Sequence, residues 1–174
     1  MTATVFVGTS VDGFIARTNG DLDFLPEGGG EPHGYIEFIA SVDAIVIGRN
    51  TFEKVLTFDA WPYGDKRVVV LSSRSLDLSD VVGGVVEQMA GPPADIISQL
   101  AASGAQHLYI DGGITVQRFL SAGLIQRLII TRVPVLIGDG IPLFSALPRD
   151  IRLQHVATRH FQSGLVQTEY HIAP

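Results

Sequence analysis

The stretch AIVIGRNTFE, residues 44–53, joins an apolar run to a polar turn and then to an amphipathic pattern. The β-branched residues before Gly48 are typical of a buried strand. Thr51 could cap a helix beginning here and leave its N–H groups facing a phosphate. Arg49 could donate two hydrogen bonds to the same phosphate. An ordinary strand–helix turn with a solvated arginine explains this local pattern equally well.

Outward from this stretch, short strand-like runs alternate with helical patterns. Alternating polarity on both sides of a Gln-Ser-Gly turn predicts a C-terminal antiparallel hairpin. The order of elements predicts one α/β domain with a mostly parallel, helix-covered sheet and antiparallel strands at its C-terminal edge. Residues 9–32 are rich in Gly, Asp and Pro, and a loop of this length is usually functional. We predict strands at residues 4–8, 43–47, 67–71, 82–87, 107–110 and 127–135, helices at 35–41, 50–56, 93–103 and 116–121, and hairpin strands at 152–161 and 165–172.

Composition excludes several classes of function. The 174 residues fit one domain, and a net charge of −6 without a basic run argues against nucleic acid or anionic membranes as partners. The absence of cysteine excludes disulfides, thiol catalysis and cysteine-ligated zinc, and suits a cytoplasmic protein. We identify no signal peptide, no apolar run near the roughly 20 residues of a membrane span, and no histidine spacing that indicates a metal site.

Two further strand ends carry polar groups, and ligands of open α/β sheets bind beyond such ends. Ser72, Ser73 and Arg74 follow an apolar run and could hold a phosphate monoester, although serine-rich turns are common. The sequence Asp111-Gly112-Gly113 follows another strand and opens a helix, so its backbone N–H groups could meet a pyrophosphate. A plain glycine turn is the alternative, and the ordinary GxGxxG motif is absent.

These segments, in this order, resemble the dihydrofolate reductase superfamily, and most closely its branch of RibD C-terminal (riboflavin-biosynthesis reductase) domains. SVDGFIA (10–16), WPYGDKRVVVLSSR (61–74) and LIITRVPVLIGDGIPLF (128–144) belong to the same resemblance. It implies a three-layer α/β/α fold over residues 1–174 and NADPH as cofactor. The cofactor contacts that it implies are Gly8, Ile15, Ala16, Gly48, Arg49, Thr51, Leu71, Ser72, Ser73, Arg74, Asp111, Gly112, Gly113 and Ile114.

The resemblance also implies hydride transfer to a pyrimidine or pterin-like substrate, as in 5-amino-6-(5-phosphoribosylamino)uracil reductase of riboflavin biosynthesis. The chain departs from dihydrofolate reductases because Gly34 and Tyr35 occupy the region of their folate-binding carboxylate. It departs from riboflavin reductases at Phe14 and Asp111, where those carry a basic residue and a glutamate. Dihydrofolate reduction and a non-catalytic NADP(H)-binding regulatory module remain alternatives. Relatives often pair, so a homodimer is expected.

Hydride transfer also requires a proton source and a surface for the substrate ring. By its position in the loop, Asp12 is the best acidic candidate; an Asx turn with Gly13, or a proton from a bound water, is the alternative. Asp23 could approach the substrate from the same loop. Trp61 and Tyr63 offer flat faces to a heterocycle, unless they only pack around the intervening proline.

Overall fold

The computed structural model describes residues 1–27, 30–81 and 83–174, which form ten strands and four helices. Every helix in these ranges is too short or too polar to cross a bilayer. The strands are β1 (Thr2–Ser10), β2 (Phe14–Ala16), β3 (Ala44–Gly48), β4 (Arg67–Leu71), β5 (Val85–Met89), β6 (His107–Ile110), β7 (Arg127–Val133), β8 (Ile141–Pro142), β9 (Leu153–His160) and β10 (Val166–Ile172). The helices are α1 (Tyr35–Ser41), α2 (Arg49–Val55), α3 (Pro93–Ala102) and α4 (Gly113–Ser121).

Eight of the strands form one sheet in the order β5-β4-β3-β6-β1-β7-β10-β9. The strands from β5 to β7 in this order are parallel to their neighbours. Strand β10 runs antiparallel to both β7 and β9. The predicted mostly parallel sheet with a C-terminal antiparallel hairpin is therefore confirmed.

Helices cover the sheet on both faces, and the alternation of side chains along β3 shows how. Val46 belongs to a buried cluster that includes Ile96 of α3 and Phe119 of α4. Its neighbours Ile45 and Ile47 belong to a second cluster, on the opposite face, that includes residues of α1 and α2. Because successive residues of a strand point to opposite faces, one apolar run supplies both halves of the core.

Two helices begin earlier than predicted. Helix α2 starts at Arg49 with Gly48 as its N-terminal cap and no side-chain capping hydrogen bond, so Thr51 lies in the first turn and does not cap. Helix α4 starts at Gly113, three residues before the predicted start, because Gly112 adopts φ +93° and turns the chain directly from strand into helix. Both shifts move backbone N–H groups closer to the sheet.

The segment predicted as one long loop, residues 9–32, contains regular structure. Strand β1 continues to Ser10, and the short strand β2 pairs with β8 in an antiparallel arrangement. The sequence missed this pairing because its partner strand lies more than a hundred residues away. Gly28 and Gly29 of this loop, and Val82 of the predicted strand 82–87, lie outside the described residues, and β5 itself occupies Val85–Met89.

Candidate active site

A groove of two adjoining cavities opens at the carboxyl ends of the parallel strands. The larger encloses about 1540 Å³ of empty space, part of it open to solvent, and is lined by residues of β1, β3 and β6 and of the segments that follow them. The smaller encloses about 930 Å³ by the same measure and lies beyond the end of β4. Arg49, Leu71 and Arg118 line both cavities, so the two form one continuous surface.

Glycines allow the starts of α2 and α4 to approach each other closely in the middle of this groove. A Cβ atom on Gly112 would lie 2.6 Å from Thr51 Oγ1, and one on Gly48 would lie 2.9 Å from Thr115 Oγ1. Both distances are shorter than van der Waals contact, so a larger residue at either position would force the threonine side chain or the helix to shift. The close approach brings backbone groups of two helix starts to the same place.

The first turn of α4 presents N–H groups to the larger cavity. Gly113, Ile114 and Thr115 line it, and the N–H groups at the start of a helix lack partners within that helix. The next N–H group, of Val116, is already bonded to the Gly112 carbonyl at 2.8 Å. This edge can therefore accept an anionic ligand group such as a pyrophosphate.

The smaller cavity forms what we call the phosphate end, made by Arg49, Ser72, Ser73, Arg74 and Arg118. The Ser72 hydroxyl donates to the Arg74 carbonyl at 2.8 Å and accepts from its N–H group at 3.1 Å. The Gln88 side-chain amide donates to the carbonyls of Ser72 and Arg74, at 2.9 and 2.6 Å, so the turn is held in place. Hydroxyls and guanidinium groups on a preformed turn suit a phosphate monoester.

The larger cavity holds what we call the aromatic end, made by the rings of Phe6, Tyr35, Phe58, Tyr63 and Tyr109. Tyr35 packs edge-on against Phe6 and Tyr109, with ring centroids 5.5 and 6.5 Å apart. The Tyr109 hydroxyl donates to the Phe6 carbonyl at 2.9 Å, which fixes that ring. Flat apolar faces of this kind suit a planar heterocycle.

Asp111 directly follows β6 and is the only carboxyl group lining the larger cavity within residues 1–27, 30–81 and 83–174. Its Oδ1 atom accepts a hydrogen bond from the Gly112 N–H group at 2.9 Å. Burial raises the pKa of Asp111, and this effect exceeds the opposing hydrogen bonds from Gly112 and Tyr109. Burial and the nearby Asp111 charge raise the pKa of Tyr35 to about 12. Asp111 is therefore the group in the cavity best suited to carry a proton.

Every residue that the resemblance implies as a cofactor contact lines one of the two cavities. Tyr63, predicted to face the substrate, lines the aromatic end. The structure thus gathers these residues, from five separate segments, around a single groove. Whether they bind the cofactor stays a prediction.

The structure does not bring Asp12, the predicted proton donor, into the lining of the groove. Its carboxylate accepts hydrogen bonds from the N–H groups of Ile137 and Gly138, at 3.3 and 2.8 Å. A hydrogen bond from Ser10, reinforced by these two, lowers the pKa of Asp12. An exposed carboxylate with a lowered pKa is a poor acid, and its contacts indicate that it fixes the loop after β7.

Asp23 and Trp61, both predicted to contact substrate, also lie outside the lining of the groove. Asp23 forms an exposed ion pair with Arg17 at 2.6 Å. Trp61 packs edge-on against Phe52 and Tyr63, with centroids 6.4 and 5.2 Å apart. Of the aromatic pair proposed from the sequence, only Tyr63 reaches the cavity, and Trp61 supports it from behind.

The sequence analysis missed polar residues of the groove, among them Asn50 and Thr115, which neighbour predicted contacts, and Lys54, Arg118 and Tyr35. Lys54 and Arg118 line it, and Tyr35 contributes its ring from α1. Helical spacing could have identified Lys54 and Arg118. Lys54 lies three residues after Thr51, and Arg118 lies four residues after Ile114. Residues at these spacings share one face of a helix. Tyr35 carries no such signal, because its place depends on how α1 packs on the sheet.

A family model, described as the RibD C-terminal domain, matches residues 2–167. The chain belongs to the RibD C-terminal domain family. The resemblance derived from the strand ends is thereby confirmed, and the family is one of riboflavin-pathway reductases. Among relatives, the uncharacterised protein YwjB of Bacillus subtilis strain 168 is 33% identical over 170 residues, which cover 95% of each chain.

Solved structures of similar proteins confirm the fold. A protein from Shewanella sp. PV-4, provisionally described as a riboflavin biosynthesis protein, is 38% identical with a TM-score of 0.91, and the match covers 100% of both chains. Dihydrofolate reductase from Enterococcus faecalis, solved in complex with NADP(H), has a TM-score of 0.68 at 15% identity, covering 99% of this chain and 97% of the other. The RibD C-terminal domain described here therefore has the dihydrofolate reductase-like fold.

Proposed function

We propose that this protein is an NADPH-dependent reductase that transfers a hydride to a pyrimidine or pterin-like heterocycle. The observation that supports this most directly is the position of Asp111. A desolvated carboxyl group with a raised pKa lines the cavity that holds the aromatic rings, and that cavity is continuous with the phosphate end. A phosphorylated dinucleotide, a proton donor and a flat substrate would need this combination of groups in one groove.

The groove fits NADPH. The N–H groups of Gly113, Ile114 and Thr115 would hold the pyrophosphate, and Ser73 and Arg74 would hold the additional phosphate that distinguishes NADPH from NADH. The enterococcal protein of the same fold is one that was solved with NADP(H). When bound, NADPH supplies the hydride, and the protein contributes orientation, exclusion of water and a proton.

Asp111 would supply the proton. Its Oδ1 atom is occupied by the Gly112 N–H group, so the proton is carried on Oδ2. From there it passes to the substrate heteroatom that becomes basic as the hydride arrives at the neighbouring carbon. The Gly112 N–H group then stabilises the resulting carboxylate. Because burial raises the pKa of Asp111, its protonated form persists closer to neutral pH than that of an exposed aspartate.

The substitution Asp111→Asn tests this proposal, because asparagine keeps an oxygen that accepts from Gly112 and removes the acid. NADPH oxidation would be followed with dihydrofolate, a ribosylaminopyrimidine and a ribitylaminopyrimidine. We expect kcat to fall by about 10²- to 10⁴-fold, the usual contribution of a positioned acid, with the Kd for NADPH unchanged.

The competing candidate is Asp12. If Asp12→Asn abolishes turnover while Asp111→Asn retains it, the assignment of the proton to Asp111 is refuted. NADPH binding without oxidation of any compound of the panel would instead support a non-catalytic module. Dihydrofolate reduction receives less support from the geometry, because α1 contributes Tyr35 to the cavity while its own carboxylate, Glu37, is exposed outside the lining.

A further inference from the structure

The larger cavity is lined by a lysine whose charge is already balanced. Lys54 Nζ lies 2.5 Å from Asp21 Oδ1. Lys54 is in the last turn of α2, five residues after Arg49, which corresponds to about 7.5 Å along the helix axis. The cations of the groove are therefore divided: Arg49, Arg74 and Arg118 lie at the phosphate end, and Lys54 lines the larger cavity alone.

Asp21 is held in position before any ligand arrives. Its Oδ2 atom accepts from the Asn19 side-chain amide at 3.0 Å, and its own N–H group donates to Asn19 Oδ1 at 2.9 Å. Backbone hydrogen bonds from Arg17 to the Asp21 carbonyl and from Gly20 to the Arg17 carbonyl, both 2.9 Å, close the turn. The bonds from Lys54 and Asn19 lower the pKa of Asp21, so it is ionised at neutral pH.

We propose that Asp21, through its ion pair with Lys54, makes the protein selective for a heterocyclic substrate that carries no phosphate group. This inference rests on the proposed reductase function and narrows its substrate class. A phosphate monoester carries a charge of about −1.5 to −2 at neutral pH. Asp21 itself lies outside the lining of the cavity, so a phosphate that reached Lys54 would meet an ammonium group already neutralised by a fixed carboxylate 2.5 Å away, and would be repelled by that carboxylate.

The remaining cations cannot take this role. In the described ranges, Lys54 is the only cation lining the larger cavity that does not also line the phosphate end. The other residues of the chain are two glycines and a valine, which carry no charged side chain. Around Lys54, the loop residues Leu22 and Leu25 and the ring of Phe58 present apolar surface. A neutral polar substituent, such as a hydroxyl or an amide, would meet no repulsion from the ion pair.

A matched pair of compounds tests the inference: 5-amino-6-ribosylaminouracil and its 5′-phosphate. The readouts are kcat/KM with NADPH and the thermal shift of the protein–NADP⁺ complex. Because the ion pair is partly exposed, with side-chain accessibilities of 31% and 48%, the repulsion is partly screened. We expect the neutral compound to be preferred by about tenfold, since like-charge contacts disfavour wrong partners.

Asp21→Asn should reduce or reverse this preference, because it frees Lys54 to meet the phosphate. Asp95→Asn, which removes the same charge from the exposed first turn of α3, should leave the ratio unchanged. Adding Lys54→Met to Asp21→Asn should abolish the improved use of the phosphate ester. This result would show that the effect of Asp21→Asn comes from the freed lysine charge and not from a general change of the loop.

Equal or better use of the phosphate ester by the unmodified protein would overturn the inference while leaving the proposed reductase function intact. So would an unchanged ratio in Asp21→Asn. If neither compound is bound or reduced, the inference falls together with the assignment to a pyrimidine. Failure to bind NADPH, measured separately by thermal shift, would count against the reductase function itself.

Discussion

Replacing Gly112 by alanine measures how strongly the close approach of α2 and α4 depends on a missing side chain. The backbone of Gly112, at φ +93° and ψ 137°, lies near a region that glycine almost alone adopts, which costs another residue about 1–3 kcal/mol. The new Cβ atom would also lie 2.6 Å from Thr51 Oγ1, and such overpacking costs about 1–3 kcal/mol. Together we expect a loss of about 2–6 kcal/mol in the free energy of unfolding.

Urea denaturation of a double-mutant cycle separates these two contributions. Thr51→Ala removes the hydroxyl, after which the nearest Thr51 atom is its Cβ at 3.6 Å, an ordinary contact. Thr51→Ala should therefore recover about 1–3 kcal/mol in the Gly112→Ala background, the overpacking part alone. Gly123→Ala is the matched control, because Gly123 has φ +71° but a Cβ there meets no atom within 4 Å.

Gly123→Ala should lower the free energy of unfolding by about 1–2 kcal/mol, the cost of the strained backbone alone. Thr51→Ala should recover none of this loss. If Gly112→Ala costs no more than Gly123→Ala and shows no coupling to Thr51, the two helix starts are not in the contact described. The groove would then have room at its centre for a side chain, and the argument that backbone N–H groups approach a pyrophosphate there would fail.

Two further predictions concern charge. Arg74→Ala should raise the Kd for NADPH by about 10- to 100-fold, the effect of losing a hydrogen bond to a charged group, and should change the Kd for NADH much less. Arg49→Ala should likewise raise the Kd for NADPH more than the Kd for NADH. Fluorescence titrations of each variant with each cofactor measure these values. An equal rise in the Kd for NADPH and for NADH would contradict the assigned phosphate contacts. The second prediction follows from the raised pKa of Asp111 in the folded protein. Asp111 contributes its full stabilisation below pH 3.8, the ordinary pKa of an aspartate, and this contribution is lost as the pH rises through its raised pKa in the folded protein. Urea midpoints of the unmodified protein should therefore fall relative to Asp111→Asn as the pH rises from about 4 towards neutrality, and parallel pH profiles would rule out a raised pKa.

The three strand ends that line the groove could be predicted from the sequence because each of them is a local pattern. Gly48-Arg49, Ser72-Ser73-Arg74 and Gly112-Gly113 each come directly after or at the end of an apolar strand. Parallel strands bring their carboxyl ends to one edge of the sheet, so three short patterns were sufficient to assemble the groove.

Whether Asp12, Asp23, Trp61 and Tyr63 reach the groove could not be predicted in this way, because it depends on how distant segments pack. Asp12 looked catalytic by its place after β1, yet its carboxylate bonds to N–H groups 125 and 126 residues away in the sequence. The Lys54–Asp21 pair joins a helix to a loop 33 residues earlier. Trp61 and Tyr63 are two residues apart, and only packing decides which of them reaches the cavity.

The same contrast explains why the resemblance to the family carries further for the cofactor than for the substrate. Towards the centre of the groove, the proposed cofactor contacts are backbone N–H groups and the glycines that permit their approach, which a short sequence pattern can reveal. At the aromatic end, the proposed substrate contacts are side chains and one ion pair between a loop and α2. Because α2 contributes Arg49 to the phosphate end and Lys54 to the larger cavity alone, the proposed selection by Asp21 would change which substrates are accepted and leave the phosphate end unaltered.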